Sequence, residues 1–196
     1  MSDAFGLQLD VQLGRATLPA DLLSGIPSLR GAGTVDFINT GVPHVVIRLE
    51  NTDDLQNVPV VELGRAIRYH ARFAPAGTNV NFIAPIVPAG TNVSFIAPVA
   101  PAGTNLNSIA PVAPAGPNHF AIRTYERGVE DETLACGTGS IASAIVACRR
   151  GLAASPVRLT TRSGVDLLVH CEPTDRGATR VRLEGEARLV FKGELP

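Results

Sequence analysis

Tyr125-Glu-Arg-Gly-Val-Glu-Asp-Glu-Thr-Leu-Ala-Cys136-Gly-Thr-Gly-Ser140, followed by the apolar run Ile141 to Cys148, is the stretch on which the reading of this chain turns. Ile141, Ala142, Ala144, Ile145, Val146, Ala147 and Cys148 place apolar side chains on nearly every side of one helix. That is the pattern of a helix enclosed on all faces, not of one lying on a surface. Arg149, Arg150 and Gly151 supply the charge and stop signals expected at its end. Gly137-Thr138-Gly139 forms a small-residue turn where the helix begins, so its first backbone N–H groups have no preceding carbonyl to bond. Such a helix start attracts an anion, and its dipole lowers the pKa of a thiol placed there. Cys136 stands in that position, and Glu126 and Arg127 set an acid beside a base where the stretch opens. The plain alternative is a small buried thiol in a tight corner.

Around this helix the remaining signals are those of strands. Residues 7–13 alternate apolar and polar, the period of a half-buried strand. Val35 to Leu49 reads as two strands about a Gly41-Val42-Pro43 turn, with His44 opening the second. Asn57 and Pro59 start a helix that runs to about Phe73, with Val60, Leu63, Gly64 and Ile67 on its apolar face and Arg65, Arg68, His70 and Arg72 on its solvated side. After the central helix come strands at Val157–Thr161, Val165–Cys171, Arg180–Glu184 and Ala187–Phe191, punctuated by Ser163-Gly164, Pro173–Gly177 and Gly185. His170 and Cys171 are consecutive in a strand, point to opposite faces and are read, like Cys148, as structural. The fold class is therefore α+β: a mixed, curved, barrel-like sheet wrapped around the Thr138–Arg150 helix, as one domain over residues 1–196.

Residues 75–117 interrupt this scheme. Pro75-Ala-Gly-Thr-Asn79, Pro88-Ala-Gly-Thr-Asn92, Pro101-Ala-Gly-Thr-Asn105 and Pro114-Ala-Gly-Pro-Asn118 recur in register, each followed by a short apolar run. The pattern reads as a tandem 13-residue repeat insertion, each unit a short apolar strand plus a Pro-Gly turn as in a repetitive β-meander.

Composition narrows the function classes. A formal net charge of −1 gives no general attraction to nucleic acid or an anionic membrane. The three cysteines, Cys136, Cys148 and Cys171, form no Cys-x-x-Cys pair and suggest neither a disulfide framework nor a metal site. A soluble, cytoplasmic protein follows as the expectation.

The string YERGVEDETLACGTGS resembles the second active-site motif of diaminopimelate epimerases, and NTGVPHVV and GTNVNF resemble two further segments of that family. The resemblance covers residues 34–84 and 118–196, and implies that the tandem repeat is one hairpin expanded by duplication. It implies a cofactor-independent inversion of LL- to meso-diaminopimelate, on the route to lysine and peptidoglycan precursors. Two cysteines on opposite faces of the reacting carbon would carry it: a thiolate removes the α-proton and the opposing thiol supplies one. By the same resemblance the catalytic residues are Cys136, Glu126 and His44, and the substrate ligands Asn79, Glu126, Arg127, Gly137 and Thr138. No metal and no cofactor are implied. The family's asparagine in the Gly-x-Pro segment is replaced here by Val42, so that contact does not carry over. The family's second catalytic cysteine has no counterpart in this sequence, which matches the C-terminal half of a two-domain enzyme. The implied partners are an amino-acid substrate and a separate N-terminal half or a second copy of the chain. A carboxylate-binding or structural descendant of the fold, and a proline-racemase-like isomerase, are the other classes the sequence admits.

Overall fold

The computed structural model describes residues 4–13, 34–86, 118–189 and 192–193. They form a nine-stranded sheet. In chain order the strands are β1 (Phe5–Gln12), β2 (Thr34–Asn39), β3 (Pro43–Arg48), β4 (Asn79–Pro85), β5 (His119–Glu126), β6 (Asp131–Thr133), β7 (Val157–Thr160), β8 (Asp166–Thr174) and β9 (Gly177–Gly185). Between β3 and β4 lie α1 (Thr52–Asn57) and α2 (Val60–Arg68), with a 3₁₀ turn at Ala71–Phe73. The helix α3 (Gly137–Arg149) follows β6. The spatial order is β1-β2-β3-β4-β5-β7-β8-β9, and β6 pairs with β5. The β3–β4 and β5–β7 pairs are parallel, the others antiparallel.

The sheet curls until its edges meet: Ala4 and Ala178 exchange backbone hydrogen bonds of 3.2 Å, and Leu7 N–H donates to the Arg176 carbonyl at 3.1 Å. Closure removes the unpaired edges an open sheet would leave. Inside lies α3, buried at every position from Gly139 to Ala147. Ile141, Ile145 and Val146 pack against Ile38, Val46, Ile83, Phe120, Leu159 and Val169 of the surrounding strands. The expected all-round apolar helix is thus enclosed by an all-round wall.

Outside the wall, α1 and α2 cover β3, β4 and β5. Val45, Ile47, Val80, Phe82 and Tyr125 pack there against Leu55, Val60, Leu63 and Ile67. Every residue of β4 is buried, because inner and outer cores both press on it. A strand covered on both faces can bury every residue, and in NVNFIAP the two polar positions, Asn79 and Asn81, are buried with hydrogen-bond partners. Two ionic anchors lock the layers. Asp36, 2% exposed on β2, accepts from Arg150 at the end of α3, from Arg48 Nε at 3.2 Å and from the Asp10 backbone N–H at 3.0 Å. Arg123 of β5 grips Glu132 through two nitrogens, at 2.7 and 2.6 Å, and donates to the carbonyls of Leu55, Gln56 and Val58 at the end of α1.

Several sequence expectations change. The helix expected to reach Phe73 ends at Arg68, where Tyr69 N–H bonds back to Arg65 and Ile67 carbonyls. Its basic side is not simply solvated: Arg68 pairs with Glu130 at 3.2 Å, and His70 bonds the Leu13 carbonyl and the Arg72 N–H. Helix α1 was not anticipated, although Asn51 caps it by accepting from Asp54 N–H at 2.7 Å. Residues 187–189 are not a strand, and Val190 and Phe191 lie outside the described residues. Of the tandem repeat, the first copy supplies β4, while residues 87–117 lie outside the described residues.

Gly64 gives a direct test of the outer layer. A Cβ there would overlap the Tyr125 side chain, whose Cβ and ring press on the bare helix surface. Gly64→Ala, normally favourable within a helix, should instead destabilise the protein by about 1–3 kcal/mol through overpacking. Urea unfolding measures it; an unchanged or raised midpoint would show that α2 packs differently.

Candidate functional site

The site is built at the N-terminus of α3. Cys136 is the capping residue, with extended backbone (φ −136°, ψ 108°), and its carbonyl accepts from Ser140 N–H at 2.9 Å and Ser140 Oγ at 3.0 Å. Its sulfur lies 3.6 Å from Thr138 Oγ1. Thr40 Oγ1, in the β2–β3 turn, donates to the Thr138 carbonyl at 3.1 Å and ties the helix start to the sheet. Gly139 is required to be bare: a Cβ there would overlap Asn81 Oδ1 and sit 3.2 Å from Cys136 Sγ. The glycine-rich turn therefore lets β4 and the thiol converge on one helix start.

Burial, with the sulfur's residue only 8% exposed, pushes the Cys136 thiol above its ordinary value. The Thr138 hydroxyl and the N–H groups of Gly139 and Thr138 pull it down, and the Glu126 carboxylate pushes it up. The expectation that the helix start would lower this pKa is thus corrected: desolvation outweighs the N–H groups. At neutral pH the residue is a thiol.

Glu126 ends β5, half-buried, and its charge reaches the sulfur. Arg127 is held by its backbone N–H, which donates to Asn79 Oδ1 at 2.8 Å, and by Nη1 on the Ala76 carbonyl at 3.0 Å. Asn79 Nδ2 donates in turn to the Pro43 carbonyl at 2.9 Å. Asn79 thus bridges the turn before His44 and the turn after Glu126. One Nδ2 hydrogen and one Oδ1 lone pair are left over. Gly137 is half-buried with Leu183 of β9 beside it.

His44 is fully buried on β3, facing β4 across the parallel pair. Its Nδ1 is 3.1 Å from Asn81 Nδ2, and its Nε2 has no hydrogen-bond partner among the described residues. Burial, helped by the positive charge of Arg127, pushes its pKa down to about 3. The imidazole is neutral under ordinary conditions.

The structure therefore gathers Cys136, Thr138 and Glu126 directly, and adds Arg127 and His44 through asparagines on β4. Asn81, Thr124 and Thr40 were not singled out from the sequence. The available signal was two asparagines at a spacing of two, on one face of an otherwise apolar strand. Cys148 and Cys171, read as separate structural residues, are in contact. Cys148 packs against the core cluster that holds Cys171, and their interaction raises the Cys148 pKa and lowers that of Cys171. About 18 Å of helix separates this pair from Cys136. Among the described residues no cluster of three or more His, Cys, Asp or Glu side chains could hold a metal, and no helix is long and apolar enough to cross a membrane.

Comparison with known proteins agrees with the motif. The family model described as diaminopimelate epimerase matches residues 37–190. A diaminopimelate epimerase of a Hydrogenobaculum species is 44% identical over 160 residues, covering 81% of this chain and 45% of the relative. Its counterpart from Aquifex aeolicus is 37% identical over 191 residues, covering 97% and 55%, and that of Chlorobaculum tepidum 34% identical over 178 residues, covering 90% and 55%. The chain spans about half the length of these curated relatives.

Two titrations test the site. Iodoacetamide modification of Cys136 should rise with pH along a curve whose midpoint lies above the ordinary thiol value of 9.0, and Glu126→Gln should move that midpoint down; a midpoint below 9.0 in the unsubstituted protein is the contrary result. For His44, the folded pKa lies below the unfolded value of 6.5, so stability is unaffected above pH 6.5 and falls as pH drops toward 3. At pH 4 the loss amounts to about 3 kcal/mol at roughly 1.4 kcal/mol per unit. His44→Gln should remove that component when urea midpoints at pH 7 and pH 4 are compared. Equal acid sensitivity in both proteins would contradict a neutral buried His44.

Proposed function

The chain belongs to the diaminopimelate epimerase family, and on that premise we propose that it provides one catalytic face of a cofactor-independent amino-acid epimerase acting on diaminopimelate. The observation that carries this reading is the Cys136 thiol held at the N-terminus of a buried helix, between the N–H groups of Thr138 and Gly139 and the Glu126 carboxylate.

The chemistry follows from what those groups can do. The α-proton of an amino acid leaves as H⁺ to a thiolate on one face, and the electron pair it leaves behind spreads into the substrate carboxylate. A thiol on the other face then gives its proton to the carbon. Cys136, neutral because it is desolvated, is suited to that donation, and as the resulting thiolate it serves as the base in the reverse direction. Gly137 and Thr138 bind the α-carboxylate with backbone N–H groups, where the helix dipole favours the extra charge of the carbanion. Glu126 takes the substrate ammonium, Arg127 a carboxylate, and Asn79 uses its remaining amide capacity on the substrate. His44 and Glu126 adjust the movement of protons around the thiol.

The opposing base is assigned to a separate N-terminal half or a second copy of the chain, since Cys148 and Cys171 sit together at the far end of α3. Action in the cytoplasm on the route to lysine completes the reading.

Deuterium incorporation at the α-carbon of diaminopimelate in heavy water tests it. The chain alone should exchange several orders of magnitude more slowly than a full-length epimerase, because a residue that acts as part of a pair leaves little activity behind. Mixing with a separately made N-terminal half of a related epimerase should restore exchange, and Cys136→Ser should abolish it. Rapid exchange by the chain alone would reveal a second base within it. No exchange in a mixture of two folded halves would favour a carboxylate-binding role without catalysis.

A further inference from the structure

Among the described residues, the side chain of Asn81 is a tightly constrained polar group. Buried on β4, it has four hydrogen-bonding positions, and three are occupied by partners that leave no freedom. Nδ2 donates to the Val45 carbonyl at 2.9 Å, Oδ1 accepts from Thr124 Oγ1 at 3.1 Å, and the second Nδ2 hydrogen points at His44 Nδ1, 3.1 Å away. The Val45 carbonyl can only accept, so the amide cannot turn over: its nitrogen must face β3. A nitrogen that donates to His44 Nδ1 requires that atom to be an acceptor. The one proton of the neutral ring must then be on Nε2, the buried atom that has no hydrogen-bond partner among the described residues. An unpaired buried N–H is costly and is kept where an acceptor arrives.

We infer that Asn81 is a positioning residue that locks His44 in the tautomer carrying its proton on Nε2, so that a buried imidazole N–H is held ready for an acceptor at the α3 helix start. The placement supports this: Asn81 Oδ1 and Cys136 Sγ both crowd the bare Cα of Gly139, so the amide that orients the histidine also lies against the thiol's own turn. The function of the N–H rests on the epimerase reading given above, and the acceptor assigned to it here is a substrate carboxylate or the Glu126 carboxylate. The tautomer itself does not, and it can be measured on the chain without substrate or partner.

The test is nitrogen-15 NMR of the histidine rings at pH 7, with the His44 signals identified by their loss in His44→Gln. The expected result is a pyridine-type Nδ1 and a protonated Nε2, with the other tautomer at least about tenfold rarer, as one directed buried hydrogen bond requires. Asn81→Asp replaces the donor by an acceptor and should move the proton to Nδ1 or protonate both nitrogens. Thr124→Val removes only the partner of Oδ1 and should leave the pattern unchanged. A wild-type ring protonated on Nδ1, or averaging between tautomers, overturns the inference even if the Asn81 variant fails to fold. So does an Asn81→Asp protein, folded by circular dichroism, whose His44 pattern is that of the wild type. With the tautomer established, loss of exchange in heavy water by the Asn81→Asp mixture would join it to catalysis. Failure of the wild-type mixture to exchange would count against the epimerase reading and leave the tautomer standing.

Discussion

Everything in this molecule depends on hiding a helix that has no polar side. From Gly139 to Ala147 α3 offers water nothing but apolar or small buried surface. Its burial is favourable only if the covering is complete, at roughly 25 cal/mol per Å² of apolar area removed from water. A flat sheet could cover one face. A sheet that curls through β1 to β9 and closes at Ala4 and Ala178 covers all of them. The Asp36–Arg150 pair then fixes the exit of the helix against the wall, where a charged end would otherwise be left half in an apolar interior.

Enclosure also creates the site. A helix surrounded by hydrocarbon has its first N–H groups directed at whatever stands at the mouth of the barrel, and here that is the Cys136 sulfur. Low polarity strengthens each contact it makes but also disfavours its ionised form, so the thiol is held as an acid. The same desolvation keeps His44 neutral. Groups that would titrate near 9.0 and 6.5 in water are thereby held as a neutral thiol and an uncharged imidazole.

The chain matches about half the length of curated diaminopimelate epimerases. Its three cysteines divide into one at the helix start and two in mutual contact at the other end. An acid on a single face can move a proton one way; inversion of a stereocentre needs a second group opposite.

The sequence by itself determined the central helix to within one residue at each end, Thr138–Arg150 against the observed Gly137–Arg149, and the placing of Cys136 at its start, because those features are set within one turn or one run of residues. It also determined most of the strands on either side, though not β6 or the continuation of β8 to Thr174, and, through YERGVEDETLACGTGS, the family. What it left undecided was set by pairing between distant segments. The capping of α1 by Arg123, which reaches it from β5, depends on a tertiary partner. So does the direction of the Cys136 pKa, since the dipole is legible in the local sequence while desolvation is a property of the closed barrel. The tautomer of His44 is the clearest case. Only the parallel register of β3 on β4 sets Asn81 against it, and a hydrogen bond between residues 37 apart leaves no periodic trace in the chain.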